Sequence, residues 1–139
     1  QLLHWENAVT VFRRAASVSP ENALVRNNLG AALTRRGEAA SALPHLEAAL
    51  RLQPRYPEAA FNLGVALADL GRFEDAIAWY GRAIEMNPKY AEAMNNTGVI
   101  LASQGRFAEA AAQFRLALSV RPDYADARNN YERALKKLP

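Results

Sequence analysis

Prolines recur along this chain at a fixed spacing of 34 residues, at Pro20, Pro54, Pro88 and Pro122. Other residues repeat with them, among them Asn28, Asn62, Asn96 and Asn130. A fixed period of roughly 20–50 residues is typical of one supersecondary unit stacked on copies of itself, and 34 residues with helical patterning indicates helix–turn–helix units. The repeat therefore predicts an all-α fold that presents a binding surface.

The repeat divides the chain into five segments. A half repeat, 1–22, is predicted to contain a second helix only, and three full repeats follow over 23–56, 57–90 and 91–124. Segment 125–139 is predicted to be a C-terminal capping helix. Within each full repeat, the first helix ends at a glycine, which adopts a positive φ without steric cost, and the second helix ends before the proline, which cannot continue it.

The small and aromatic residues of the repeat predict how the helices pack. Glycine in a helix costs about 0.5–1 kcal/mol relative to alanine, so its recurrence at Gly30, Gly64 and Gly98 indicates close approach of the partner helix. We expect Ala42, Ala76 and Ala110 to supply the opposing surface. The aromatic residues with helical spacing are expected in the core: Phe73, Tyr80, Phe107 and Phe114. Pro44 is expected to bend its helix or delay its start.

Composition argues against several classes of protein. The 139 residues carry a net charge of only +3, with basic residues interleaved with acidic ones, whereas nucleic-acid binders cluster them on one face. The chain has no cysteine, which excludes disulfides and thiolate metal sites but leaves the compartment open. No apolar run is long enough to span a membrane. We therefore expect no nucleic-acid partner and no membrane insertion by this segment.

Catalytic chemistry is not indicated by the sequence. The two histidines, His4 and His45, lie on different repeats, and Glu74 and Asp75 begin a helix, where negative charge favours the helix dipole. The chain has no phosphate-binding loop, metal-ligand spacing or nucleophile motif. We expect no enzyme activity, no catalytic or metal-binding residues and no cofactor.

The whole chain resembles the tetratricopeptide repeat (TPR) family. The residues that carry the resemblance are the four prolines, Leu29-Gly30, Leu63-Gly64 and Thr97-Gly98, Ala42, Ala76 and Ala110, Leu46, Tyr80 and Phe114, and Ala49, Ala83 and Ala117. The resemblance implies an α-solenoid of antiparallel helix pairs in a right-handed superhelix. It also implies that the first helices line a concave groove.

A column of asparagines lies on the predicted groove face. When Ala23, Pro57, Ala91 and Ala125 are counted as position one, positions two, five, six, nine, twelve and thirteen are predicted to lie away from the core. An asparagine side chain offers one acceptor and two donors, which suits the backbone of an extended peptide. The predicted peptide-binding residues are Asn27, Asn28, Glu58, Phe61, Asn62, Val65, Glu92, Asn95, Asn96, Val99, Asn129 and Asn130.

Other interpretations of the asparagines and their ligand stay open. The asparagines could instead bridge neighbouring repeats or contact only water. The column resembles the one in the TPR superhelix of O-linked N-acetylglucosamine transferases, which implies a peptide ligand. The basic clamp that chaperone-binding TPRs use for a terminal carboxylate is absent, and Glu58, Glu92 and Asp126 form an acidic row. Near the C-terminus, Arg133, Lys136 and Lys137 suit either an acidic ligand or the helix dipole.

Two further functions remain as alternatives to peptide binding. Self-association through the end helices is possible, with Trp5, Phe12 and Trp79 as candidate residues and an exposed apolar face of Trp5, Val9 or Phe12. The segment Gln1–Trp5 followed by Val11–Ala15 resembles the start of TPR tails after the last membrane helix of bacterial multi-pass glycosyltransferase-like proteins. That resemblance implies a recruitment or assembly domain of a larger, membrane-bound glycosyltransferase-like protein.

Overall fold

The protein folds into α-helices alone. The computed structural model describes the backbone of residues 2–139 and the side chains of residues 7–139. Across these residues it has eight helices and no strand. The helices are α1 (Leu2–Val18), α2 (Ala23–Arg35), α3 (Ala39–Leu52), α4 (Pro57–Asp69), α5 (Phe73–Met86), α6 (Ala91–Ser103), α7 (Phe107–Val120) and α8 (Ala125–Leu135). The all-α fold predicted from the period is confirmed.

The turn between the two helices of each repeat is built around a glycine. Gly37, Gly71 and Gly105 have φ values of 89°, 77° and 77°. After α2, the Gly37 N–H donates to the Thr34 carbonyl at 3.0 Å and the Glu38 N–H donates to the Leu33 carbonyl at 2.9 Å. These two bonds make a Schellman motif, which satisfies carbonyls at the helix end and reverses the chain. The same pair of bonds follows α4 and α6.

Two compact units make up the chain, one ending at Trp79 and the other starting at Tyr80. In the first unit, α2 packs against α1, α3 and α4, and α3 also packs against α4. In the second unit, α6, α7 and α8 pack against one another. The core of each unit is lined by small and aliphatic residues, with the aromatic residues Tyr80 and Phe114 fully buried in the second.

The mid-helix glycines mark close helix contacts. A Cβ on Gly30 would lie 2.6 Å from Leu46 Cδ2, and a Cβ on Gly98 would lie 2.5 Å from Phe114 Cε1. Ala42 and Ala110 are fully buried, and their expected place opposite the glycines stays a prediction. Each of these two glycines makes room for a large side chain on the second helix.

Three expectations fail at least in part. Val9 is fully buried, whereas Phe12 on the same helix is half-buried and Val11 is 61% exposed. Pro44 does not delay its helix, since α3 begins at Ala39, and the alternative, a bend at Pro44, stays a prediction. Phe73 is 40% exposed because it begins its helix, where one side of the ring meets solvent.

Candidate functional site

Asparagines from successive first helices contact each other in the first unit. Asn62, on α4, donates from Nδ2 to Oδ1 of Asn27, on α2, at 2.9 Å. Asn27 is only 5% exposed, and its side chain also hydrogen-bonds the hydroxyl of Tyr56. Burial raises the pKa of Tyr56 above its usual value, and the bond from Asn27 opposes that effect. The three side chains form a polar cluster that joins two repeats.

The same cluster recurs in the second unit. Asn130, on α8, donates from Nδ2 to Oδ1 of Asn95, on α6, at 3.1 Å. Asn95 is 6% exposed and hydrogen-bonds Tyr124, whose pKa is raised chiefly by burial. Sequence analysis placed Asn27 and Asn95 on the exposed face, and the structure places both below it. We call the two groups of three residues the Asn–Asn–Tyr clusters.

Asn96 has a different partner from the other asparagines at position six. Its Nδ2 lies 3.4 Å from the hydroxyl of Tyr80, within the second unit. The residue at position five of the preceding repeat is Phe61, which offers no amide oxygen. The asparagine column is therefore continuous in sequence but not in its hydrogen bonding.

A cleft between α2 and α4 contains three of the predicted peptide-binding residues. Its volume is about 230 Å³, and we call it the first cleft. It is lined by Ala31, Thr34, Arg35, Phe61, Asn62 and Val65. Because Asn62 donates one N–H to buried Asn27, its amide orientation is fixed at the cleft wall.

A second, larger cleft lies among α6, α7 and α8. Its volume is about 320 Å³, and we call it the second cleft. It is lined by Val99, Ala102, Ser103, Phe107, Phe114, Asn130, Arg133, Ala134 and Lys137. Val99 and Asn130 are predicted peptide-binding residues, whereas the aromatic floor was expected to be closed core.

The remaining predicted peptide-binding residues lie outside the two clefts. Asn28 is half-buried and Asn129 is exposed, and neither makes a side-chain hydrogen bond within the part of the chain whose side chains are described. Glu58 is exposed. Glu92 accepts from Arg121 Nη1 at 2.6 Å, and the Arg121 guanidinium lies 3.7 Å from the centre of the Tyr124 ring. The acidic row is therefore partly neutralised at Glu92.

His45, the one histidine whose side chain is described, is paired with an arginine. His45 Nδ1 lies 2.9 Å from Arg26 Nη1, so the neutral imidazole accepts a hydrogen bond. Burial, Arg26 and Arg13, in that order, lower the pKa of His45. No group of three or more metal-ligating side chains occurs among the described residues. Of the helices described, none has the length and apolar character needed to cross a membrane.

The candidate self-association residues differ in their placement. Phe12 is half-buried on α1. Trp79 is half-buried and lines a cleft of about 290 Å³ with Glu47, Leu50, Arg51 and Leu63. The side chain of Trp5 lies outside the described residues. Phe12 is not among the residues that line this cleft, and self-association stays a prediction.

Comparisons with known proteins agree with the repeat architecture. Tetratricopeptide repeat models match residues 1–44, 32–85, 66–105 and 91–124. A comparison with curated protein sequences finds no significant match. The chain is similar to the crystal structure of MamA protein, with a TM-score of 0.84 and 23% identity over 96% of this chain and 73% of that chain.

Two further solved structures have a similar fold. YrrB, described as a TPR protein with an unusual peptide-binding site, gives a TM-score of 0.82 and 28% identity over 97% of this chain and 67% of that chain. The Arabidopsis OM64 TPR domain gives a TM-score of 0.80 and 25% identity over 84% of this chain and 96% of that chain. Each is a relative in fold, and the peptide site named for YrrB is a property of YrrB.

Proposed function

Because the chain belongs to the tetratricopeptide repeat family, we propose that it is a non-catalytic scaffold that binds an extended segment of a protein partner along its first helices. The family and the similarity to a peptide-binding TPR protein support the general role of a protein-interaction scaffold. The placement of the asparagines supports the finer proposal that the groove face holds the ligand.

The observation that carries this proposal is the fixed orientation of Asn62 and Asn130. Each uses one N–H to hold a buried asparagine, and each lines a cleft. The amide oxygen and the second N–H make no hydrogen bond to any residue that the structure describes. One acceptor and one donor per side chain match the C=O and N–H of a peptide backbone.

The strength of such binding depends on several contacts acting together. A neutral hydrogen bond contributes about 0.5–1.5 kcal/mol net. Micromolar affinity corresponds to about −8 kcal/mol, so asparagine contacts alone are insufficient. The apolar walls of the clefts, with Val65 and Phe61 in one and Val99 in the other, supply side-chain burial. We therefore expect a ligand that is bound through hydrogen bonds to its backbone and through burial of its apolar side chains.

A peptide-display screen with matched variants tests the proposal. Random nine-residue peptides are selected on the parent chain, and their affinities are then measured for Asn62→Ala/Asn96→Ala. The control is Asn7→Ala/Gln113→Ala, which makes similar changes on α1 and α7, two second helices. Helicity and melting temperature are measured for each variant. We expect about tenfold or greater weakening for the first variant and less than twofold for the control.

A second variant guards against loss of folding. Asn62→Ala removes the donor to buried Asn27 and can lower stability, whereas Asn28 makes no side-chain hydrogen bond within the described part of the chain. Asn28→Ala is therefore expected to preserve the fold while weakening peptide binding about threefold to tenfold, the loss of one net hydrogen bond. Selected peptides that bind all the variants equally would contradict the proposal, as would a screen that returns no peptide.

A further inference from the structure

We propose that the second cleft selects an acidic segment of the partner, in which an apolar side chain enters the cleft and an adjacent aspartate or glutamate contacts Arg133 and Lys137. This inference rests on the proposed peptide-binding function and adds the chemistry of the ligand. It concerns one place on the molecule, the cleft among α6, α7 and α8.

The floor of the second cleft is apolar and open. Val99 on α6 is 45% exposed, which is high for a valine on a packed helix, and Phe107 on α7 is half-buried. Ala102 and Ala134 leave space between the helices because their side chains are small. The volume of about 320 Å³ lies at the lower end of the range of about 300–1,000 Å³ for small-ligand pockets. The cleft therefore suits one or two apolar side chains.

One wall of the second cleft is cationic. Arg133 lies in the last turn of α8 and Lys137 follows two residues after the end of that helix, and both side chains line the cleft. Neither forms an ion pair with any residue in the described part of the chain. Other arginines nearby are paired: Arg106 with Glu109 at 2.7 Å and Arg121 with Glu92 at 2.6 Å. The two cations at the cleft therefore have charge available for a ligand carboxylate.

The third polar residue on this wall is held in place. Asn130 lies three residues before Arg133 on the same face of α8, and its amide is fixed by the bond to Asn95. A peptide backbone at Asn130 would bring its neighbouring side chains to the apolar floor and to the two cations. A short ligand segment can thus be held at three points: its backbone at Asn130, an apolar side chain at the cleft floor and an acidic side chain at the two cations.

The corresponding positions on the other first helices lack this pair of charges. Positions nine and thirteen are Ala31 and Arg35 on α2, Val65 and Asp69 on α4, and Val99 and Ser103 on α6. In the last segment they are Arg133, on α8, and Lys137, just after it. The preference for acidic ligands is therefore expected from the second cleft and not from the first.

The helix dipole also favours cations at this end of α8, and the experiment must separate that effect from contact with a ligand. Cations in the last turn of a helix are stabilised by the dipole whichever way they face. Lys136 is at the same end of α8 but does not line the cleft. Removal of Lys136 therefore changes the charge at the helix end while leaving the cleft wall unchanged.

The test compares two charge-matched variants with peptides selected from the nine-residue library. Arg133→Gln/Lys137→Gln removes the cationic wall, and Arg115→Gln/Lys136→Gln removes the same charge from exposed positions outside the cleft. Peptides selected on the parent are expected to carry an aspartate or glutamate next to an apolar residue. We expect their affinity to fall about tenfold or more for the first variant and less than twofold for the second, because charge-assisted hydrogen bonds are about twice as strong as neutral ones.

A change in the peptide provides an independent readout. Replacing the acidic residue by its amide is expected to weaken binding to the parent about tenfold but to have little effect on binding to Arg133→Gln/Lys137→Gln. If selected peptides depend on Asn62 and Asn96 but bind both charge variants equally, this inference is overturned while the proposed function stands. If no peptide is selected on the parent, the proposed function fails and this inference fails with it.

Discussion

Asn95 illustrates how a single buried amide can hold a surface residue in position. Its Oδ1 accepts from Asn130 at 3.1 Å, and its side chain also bonds Tyr124. Asn27 does the same for Asn62 and Tyr56. A buried amide is costly unless it is hydrogen-bonded, so each cluster stabilises the fold only while it is complete. We therefore propose that Asn27 and Asn95 are positioning residues and that Asn62 and Asn130 contact the ligand.

Loss of the buried amide is expected to destabilise the chain. Asn95→Ala leaves Asn130 and Tyr124 without their partner and should lower the free energy of unfolding by about 1–3 kcal/mol. Asn129 is an exposed neighbour that makes no side-chain hydrogen bond in the described region. Asn129→Ala should therefore change the free energy of unfolding by less than about 0.5 kcal/mol. Urea unfolding of both variants measures the difference. Equal stability of the two would contradict a structural role for the Asn95 cluster.

The closely packed glycine at position eight predicts an unusual response to alanine. In Gly98→Ala the new methyl would meet three atoms of the Phe114 ring at 2.5–2.9 Å, and Phe114 is only 1% exposed. Overpacking of this kind costs about 1–3 kcal/mol, which exceeds the roughly 0.5–1 kcal/mol that alanine gains over glycine in a helix. We expect a net loss of stability.

Gly81 provides the control for this substitution. It lies within α5, and a Cβ there would meet no atom within 4 Å. Gly81→Ala should therefore stabilise the chain by about 0.5–1 kcal/mol. Thermal unfolding of the two variants is expected to shift the melting temperature in opposite directions. A stabilised Gly98→Ala would show that the helices can separate at no cost.

His45 predicts a pH dependence of stability. Its pKa in the folded chain is below the usual value of 6.5, chiefly because of burial and then because Arg26 and Arg13 lie near it. As the pH falls below 6.5, the unfolded chain takes up the proton first, so stability decreases until the pH has passed the lowered pKa. The melting temperature of the parent should fall more than that of His45→Gln between pH 7.5 and 5.5. Identical pH profiles would contradict this assignment.

At the residue scale, the sequence predicted which residues recur in each repeat better than which residues contact each other. The period identified the asparagine positions and the close-packed glycines. It left open that the asparagines bridge neighbouring repeats, as Asn62 and Asn130 do. It did not specify that position five of one repeat meets position six of the next, because that contact depends on how far successive helices are rotated about their axes. The tyrosines of the clusters were missed, although Tyr56, Tyr90 and Tyr124 also recur at 34 residues.

The helices themselves could be predicted closely from the sequence. Glycine and proline end them for local steric reasons, and α5 spans Phe73–Met86 as the pattern indicates. The start of α3 was harder to predict because Pro44 lies inside it. Segment boundaries at 23, 57, 91 and 125 remain a proposal about repeat units, and helix starts at Ala23, Pro57, Ala91 and Ala125 support it.

The glycine turn is expected to tolerate few residues. Gly105 has a φ of 77°, a region that costs other L-residues about 1–2 kcal/mol and in which asparagine is better tolerated than alanine. No atom within 4 Å would contact a Cβ there, so backbone conformation alone determines the cost. Gly105→Ala should destabilise the chain by about 1 kcal/mol or more, and Gly105→Asn by less. Chemical denaturation of the two variants tests the order, and a reversed order would contradict it.

α8 differs from the other first helices at the position that packs most closely. Glu132 occupies the position of Gly30 and Gly98, where even a Cβ would be too close to the second helix. A helix packed on α8 in the way that α7 packs on α6 would meet the Glu132 side chain. This supports the proposal that α8 is a capping helix.

At the scale of the whole molecule, the repeat distributes stability and binding over several similar sites. In repeat proteins each unit contacts only its neighbours, so stability is approximately a sum of local terms. The family fold was predictable because many positions agree at one period. The proposed ligand preference was not, because the second cleft depends on how the side chains of three successive helices, α6, α7 and α8, come together in the fold.

The central claim is that the first helices bind the partner, and NMR shift mapping tests it most directly. ¹H–¹⁵N spectra of the parent are recorded during titration with a peptide from the screen. We predict that the largest shifts occur on α2, α4, α6 and α8, including the side-chain amide signals of Asn62 and Asn130. Shifts concentrated on α3, α5 and α7, around Trp79 or Leu116, with unchanged Asn62 and Asn130 signals, would contradict the account.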